Sequence, residues 1–202
     1  MPHTETGPVT NPQELIILKE FTGILEQLDI DYAIGGSMAS SIYGKVRFTQ
    51  DADITVQPFE EQGDKLFETL KDKYYISRQA MQQALTECTS FNIIHLEYAF
   101  KIDIFVRKDT DYQKQILSRR KSLKLSDEVQ KSFSVLSPED IILLKLQWYQ
   151  DTGCTSGKQW DDVLGILAVQ ADRLDYDYLK TWSQKLQISD LLQKAVAETK
   201  DY

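Results

Sequence analysis

The stretch Tyr32–Val56, YAIGGSMASSIYGKVRFTQDADITV, decides how the chain is read. The apolar run Tyr32 to Ile34 belongs to a short buried strand, Asp31 to Gly35. Gly35-Gly36-Ser37 then opens a short helix, Ser37 to Tyr43, which Gly44 can close in a left-handed conformation. After the loop Lys45 to Gln50, Asp51–Val56 alternates acidic or polar residues with apolar ones. A strand of that period sets Ala52, Ile54 and Val56 on one face and Asp51, Asp53 and Thr55 on the other. Two carboxylates thus stand side by side downstream of a glycine turn.

Both parts have a chemical use. The backbone N–H groups bared by Gly35 and Gly36, the Ser37 hydroxyl and the helix N-terminus make a cradle for phosphate. Hard divalent cations take oxygen ligands, commonly one or two carboxylates plus substrate phosphates, which suits Asp51 and Asp53. Taken singly, each signal has a bland reading: glycine pairs are common in turns, and DADITV also fits the wet face of an edge strand. A third acid tips the balance. Asp103 in FKIDIFV lies between Ile102 and Ile104, so burying those two turns it to the opposite face of a second strand. An unpaired carboxylate there would be costly, which points to a metal or cationic partner. Asp103 is the expected third metal ligand and the acceptor of a hydroxyl proton.

Composition limits the alternatives. The 202 residues are 42% hydrophobic and 27% charged, with no apolar run near the roughly 20 residues a membrane span needs, so a soluble globular protein without a bilayer span is expected. The N-terminal MPHTETGPVTNP lacks the basic and apolar regions of a secretion signal; it reads as a mobile leader, and a cytoplasmic setting follows. Cys88, Cys154, His3 and His95 form neither a disulfide nor a zinc pattern. With 23 Lys and Arg against 31 Asp and Glu, the net charge of -8 disfavours broad attachment to a polyanion. A Rossmann site would need G-x-G-x-x-G and a P-loop would need GK[ST]; neither follows Gly36.

Outward from the opening stretch, Asn11-Pro12-Gln13-Glu14 has the form of a helix start, and Leu15, Leu18, Phe21, Leu25 and Leu28 carry the apolar face of a helix ending near Asp29. Further elements are a helix from Phe59 to Lys73, a strand from Tyr74 to Ser77 and a helical turn from Arg78 to Leu85. A hairpin joins Thr89 to Leu96 with Phe100 to Arg107. A helix from Thr110 to Lys121 carries Arg119-Arg120-Lys121, which reads as a solvated basic face ahead of an RNA contact, and Leu125 to Phe133 connects two halves. Ser137-Pro138-Glu139-Asp140 starts another helix, broken at Asp151 to Gly157 and followed by helices Lys158 to Val169, Tyr176 to Leu186 and Ser189 to Lys200. Trp148, Trp160 and Trp182 read as core, and His95 as an inward-facing residue without a catalytic role. The expected architecture is α+β: residues 1–125 form a sheet with flanking helices, and residues 136–202 a helical bundle.

The ordered set of GGS, DxD on a strand and a later apolar-flanked Asp resembles the DNA polymerase β-like nucleotidyltransferase superfamily. Within it the chain looks like small bacterial stand-alone members, including the abortive-infection and toxin-type group, where an arginine and a Ser/Thr precede the DxD as Arg47 and Thr49 do. The resemblance covers Tyr32 to Arg107. It implies a nucleotidyltransferase-type mixed sheet, NTP as substrate, Mg²⁺ or Mn²⁺ as cofactor, and Asp51, Asp53 and Asp103 as catalytic metal ligands. It also implies Gly35, Gly36, Ser37, Arg47 and Thr49 at the nucleotide. SPEDIILLKL and KQWDDVLGIL resemble the segment that sets a lysine against the triphosphate and an aspartate beside it, roles that map to Lys145 and Asp162. Asp161 departs from the pattern, which has a base there. Lys145 also fits a snorkelling lysine, Asp162 a first-turn acid and Arg47 a solvated loop charge. A protein, a tRNA or a small molecule remains open as the acceptor. A silent module bound to a partner protein, as in a toxin–antitoxin pair, is the competing class.

Overall fold

The computed structural model describes residues 11–47, 49–126 and 129–199. Residues 1–10 of the leader lie outside the described residues. Helix α1 (Pro12–Gln27) begins where Asn11 Oδ1 accepts the Gln13 N–H at 3.0 Å, so cap and first-turn proline act together. Strand β1 (Tyr32–Ile34), helix α2 (Gly36–Tyr43) and strand β2 (Asp51–Val56) follow as the opening stretch implies. Then come α3 (Gly63–Leu70), β3 (Tyr74–Ile76), α4 (Arg78–Glu87), β4 (Ser90–His95) and β5 (Lys101–Val106). The chain continues through α5 (Asp111–Ser118), β6 (Lys121–Lys124) and β7 (Ser132–Val135). Four helices complete it: α6 (Pro138–Asp151), α7 (Gly157–Gln170), α8 (Tyr176–Lys185) and α9 (Ser189–Glu198).

Among the described residues, seven strands join one mixed sheet in the order β3-β4-β5-β2-β1-β7-β6. The central pairing is parallel, β2 with β5, and its register sets Asp53 opposite Asp103. On one face Ala52, Ile54, Ile93, Ile102 and Ile104 are fully or almost fully buried, and α1 reaches this face where the Phe21 ring meets Tyr74 at 6.3 Å. His95 lies inward there, edge-on to Tyr74 at 5.0 Å. At the β1 end, α2 packs against β2, α6 and α7. One continuous apolar cluster includes residues from α1, the sheet and α6 to α9. Among the described residues no helix is long and apolar enough to cross a membrane.

Several expectations need correction. The segment read as a connection, Leu125 to Phe133, runs into β7, which pairs with β1 through Ile34 and Val135. Helix α5 stops at Ser118, and Arg119 leaves it to bond Glu139 at 3.1 Å and lie over the Tyr178 ring at 3.7 Å. Arg120 pairs with Asp31 at 2.6 Å, so two members of the basic run are bound to acids rather than solvated. Helix α3 begins at Gly63, after a 3₁₀ turn at Glu60–Gln62, and α4 is a full helix of ten residues. Trp160 and Trp182 pack on the core, whereas Trp148 is 55% exposed.

Gly44 does not adopt the left-handed conformation: its φ is -124°. Its glycine requirement is spatial, since a Cβ there would stand 2.9 Å from the Ile166 amide nitrogen and 3.0 Å from the Gly165 carbonyl carbon of α7. Overpacking against backbone costs about 1–3 kcal/mol. Gly44→Ala should therefore lower the thermal midpoint by about 3–10 °C, measured by calorimetry. An unchanged midpoint would mean that α2 and α7 can part freely.

Candidate active site

Asp51 and Asp53 sit on the half-exposed face of β2, and parallel pairing brings Asp103 of β5 directly beside Asp53. Asp53 also reaches the start of α2. The Gly35 N–H donates to the Asp53 carbonyl at 2.8 Å, and the Ser37 N–H bonds to the Asp53 carboxylate. Gly36 has φ of +54°, and a Cβ there would fall 1.6 Å from Asp53 Oδ2. Only glycine lets the acid and the helix N-terminus come so close.

Burial, then the charges of Asp51 and Asp103, push the Asp53 carboxyl above its ordinary range, against the opposing pull of the Ser37 N–H and Lys145. Each neighbouring acid finds a partner outside the trio. Asp51 accepts from the Thr49 hydroxyl at 2.8 Å, and Asp103 accepts from Lys101 Nζ at 2.7 Å. Among the described residues, no three acidic, histidine or thiol groups close into a metal-holding cluster. The donor set nonetheless fits a hard divalent cation: three oxygen-bearing groups share one face, two of them raise the third, and Gly36 leaves the carboxylate uncovered.

Behind the acids lies a second cluster. Asp162 of α7 receives Arg47 through Nε at 2.9 Å and Nη2 at 3.0 Å, and Lys145 Nζ of α6 at 2.7 Å. Arg47 Nη2 also donates to the Ser37 hydroxyl, and Lys145 to Gln159 Oε1 at 2.8 Å. Burial favours a neutral carboxyl at Asp162, but the hydrogen bond from Arg47 and the charge and hydrogen bond of Lys145 outweigh it and hold the group below its ordinary range. Burial moves Lys145 the other way, lowering the ammonium despite Asp162. Two cations on one acid make the ionised pair the state to expect. A cleft of about 190 Å³ opens beside the cluster, lined by Ser40, Lys45, Arg47, Asp161 and Asp162.

Ser37, Arg47, Lys145 and Asp162 thus meet in one network, with Gly35, Gly36 and Thr49 adjoining through Asp53 and Asp51. Lys101 was missed, although it lies two residues before Asp103 on an alternating strand and so shares its face. Gln159 carried no sequence signal.

No family model and no curated protein matches the chain in sequence. Among solved structures it is similar to an antigenic nucleotidyltransferase-like protein from Paracoccidioides brasiliensis, with a TM-score of 0.55, 17% identity and 95% of each chain covered. It is also similar to the lincosamide antibiotic adenylyltransferase LnuA with lincomycin bound, with a TM-score of 0.52, 13% identity, and 79% of this chain and 98% of that one covered. The fold is that of a nucleotidyltransferase. In this nucleotidyltransferase fold the three acids lie on the sheet and the basic cluster is supplied by α6 and the segment after α2.

Asp53 has a folded pKa above its unfolded value, so its contribution to stability is present at low pH and lost as the pH rises through the folded value. Without divalent cations, Asp53→Asn should raise the midpoint at pH 7 by about 2–4 °C, roughly 1 kcal/mol of relieved repulsion. The gain should vanish below about pH 4. Asp162→Asn should do the reverse, costing about 3–5 kcal/mol in urea unfolding by leaving two cations without their anion.

Proposed function

We propose that the protein is a divalent-cation-dependent nucleotidyltransferase. It moves an NMP group from an NTP to an acceptor hydroxyl and releases pyrophosphate. The observation that carries this reading is the β2–β5 register, which puts Asp53 beside Asp103 on the face shared with Asp51, next to the N-terminus of α2. The nucleotidyltransferase fold supports it, and the lincosamide adenylyltransferase of that fold lends weight to a small-molecule acceptor.

In this reading Gly35, Gly36 and Ser37 bind the β- and γ-phosphates, with Arg47 and Lys145 as cations beside them and Asp162 holding both in place. Thr49 orients Asp51. Asp51, Asp53 and Asp103 would hold Mg²⁺, or Mn²⁺ in its place, which when bound offsets the charge developing around the α-phosphate. The acceptor oxygen forms a bond to the α-phosphorus, the bond to the pyrophosphate oxygen breaks, and Asp103 takes the hydroxyl proton. Membership of the small bacterial abortive-infection and toxin-type group is part of the proposal.

A second reading has its own observation. Lys101 pairs with Asp103, and among the described residues no three acids form a metal-holding group, as in a silent nucleotide- or partner-binding module, for example one component of a toxin–antitoxin pair. Incubation with α-labelled NTP separates the two. Asp51→Ala and Asp53→Ala should each cut Mg²⁺-dependent labelling of an acceptor by about 10³-fold or more, several kcal/mol of lost transition-state stabilisation. Labelling that survives either change would sink the catalytic assignment. Tight calorimetric binding of NTP with Mg²⁺, and no pyrophosphate from any acceptor, would favour the silent module.

A further inference from the structure

We propose that the open face of β3, β4 and β5 is the acceptor platform, and that it takes a neutral acceptor whose hydroxyl is borne on an apolar or planar body. The inference rests on the nucleotidyl-transfer reading and names the substrate class of that site.

The register lays out the platform in rows, because directly paired residues project to the same side of a sheet. Tyr75, Ile94, Lys101 and Asp51 form one row. Asn92, Asp103 and Asp53 form the next, and Ser90, Phe105 and Thr55 a third. Strands are spaced about 4.8 Å apart, so Asn92 lies one spacing from Asp103, and Tyr75 lies about 14 Å from Asp51 across the sheet. That span suits a molecule of about two rings.

Exposure follows the same rows. Tyr75 is 59% exposed and Phe105 36% exposed; Asn92 and Ser90 are open and Ile94 is half-buried. On the opposite face Phe91, Ile93 and His95 of the same strand are buried. Large apolar groups left in water on the face that carries the acids are available for burial by a ligand.

Charge narrows the class. The acids in these rows are Asp51, Asp53 and Asp103, and the one base is Lys101, bonded to Asp103 at 2.7 Å. Within these rows a polycation would find no acid outside the catalytic trio. A phosphate-bearing acceptor would compete with Asp103 for Lys101, the one cation of these rows. Asn92, with an amide that can both donate and accept, sits beside Asp103 and suits a neutral hydroxyl or amide of the acceptor. Continuity with the carboxylate row favours a small molecule over a second copy of the chain, which would cover Asp103.

Amide NMR on the full chain tests this with phenyl β-D-glucopyranoside as the probe, alone and with ATP and Mg²⁺. Shifts confined to residues 74–76, 90–95 and 101–106 are expected. Tyr75→Ser and Phe105→Ser should each weaken the glucoside about tenfold while leaving the ATP affinity unchanged. Both side chains are surface residues, and unaltered ATP shifts in the variants would show that they fold. No glucoside shifts on this face, or stronger shifts there from kanamycin or glucose 6-phosphate, would overturn the proposal. So would shifts of these residues that grow with protein concentration alone. Absence of ATP shifts at Gly35 to Ser37 would instead count against the nucleotide reading, which the glucoside-only titration does not depend on.

Discussion

The grip of Asp162 on Arg47 and Lys145 is the interaction on which the rest of the site depends. It joins three separate pieces of chain: the segment after α2, the middle of α6 and the first turns of α7. Its acid and its lysine are both about 6–7% exposed at the side chain, so neither charge can fall back on water. Removing Asp162 leaves two cations uncompensated in a low-dielectric setting, whereas losing either cation still leaves a one-to-one pair. Its geometric consequence is specific. Arg47, clamped through two nitrogens, presents Nη2 to the Ser37 hydroxyl at the mouth of the glycine turn. A flexible loop cation thereby becomes a fixed one.

Beside this satisfied cluster lies an unsatisfied one. Asp51, Asp53 and Asp103 crowd one face, and burial and then the charges of its neighbours raise the Asp53 carboxyl. A chain selected for stability alone would not keep three acids in adjacent positions of two paired strands. The fold tolerates them because each has a local remedy: Thr49 on Asp51, the Ser37 N–H on Asp53 and Lys101 on Asp103. The remedies are weak and replaceable, unlike the Asp162 clamp. Strain of this kind is the usual sign of a site kept for chemistry.

Much of the architecture was legible because it is periodic. Alternation in DADITV and FKIDIFV fixed both strands and the facing of their acids, and capping residues at Asn11 and Ser137 fixed two helix starts. What was not legible depends on partners distant in sequence. Gly44 carries no mark that α7 backbone will lie against it, and a turn rule supplied the wrong reason for its glycine. Arg119 and Arg120 read as a solvated run because their anions come from α6 and from the segment before β1. Trp148 has helical spacing among apolar residues, yet that spacing does not say which side of α6 the core will take.

Lys101 shows where sequence reasoning stopped short of its own rule. The alternation that turned Asp103 outward also turns Lys101 outward, and the parallel register then sets it opposite Asp51. A cation so placed can do two things: shield the trio until a stronger cation arrives, or deny that cation its third ligand. The hydrogen bond to Asp103 holds the ammonium above its ordinary pKa, so it stays charged throughout the neutral range. Its side chain is 43% exposed, however, and an ion pair so wet is worth at most about 1 kcal/mol. In the proposed reading, a divalent ion held by all three acids and by substrate phosphate would outweigh that contribution, which would make the pair a displaceable cap on the site and not a lock.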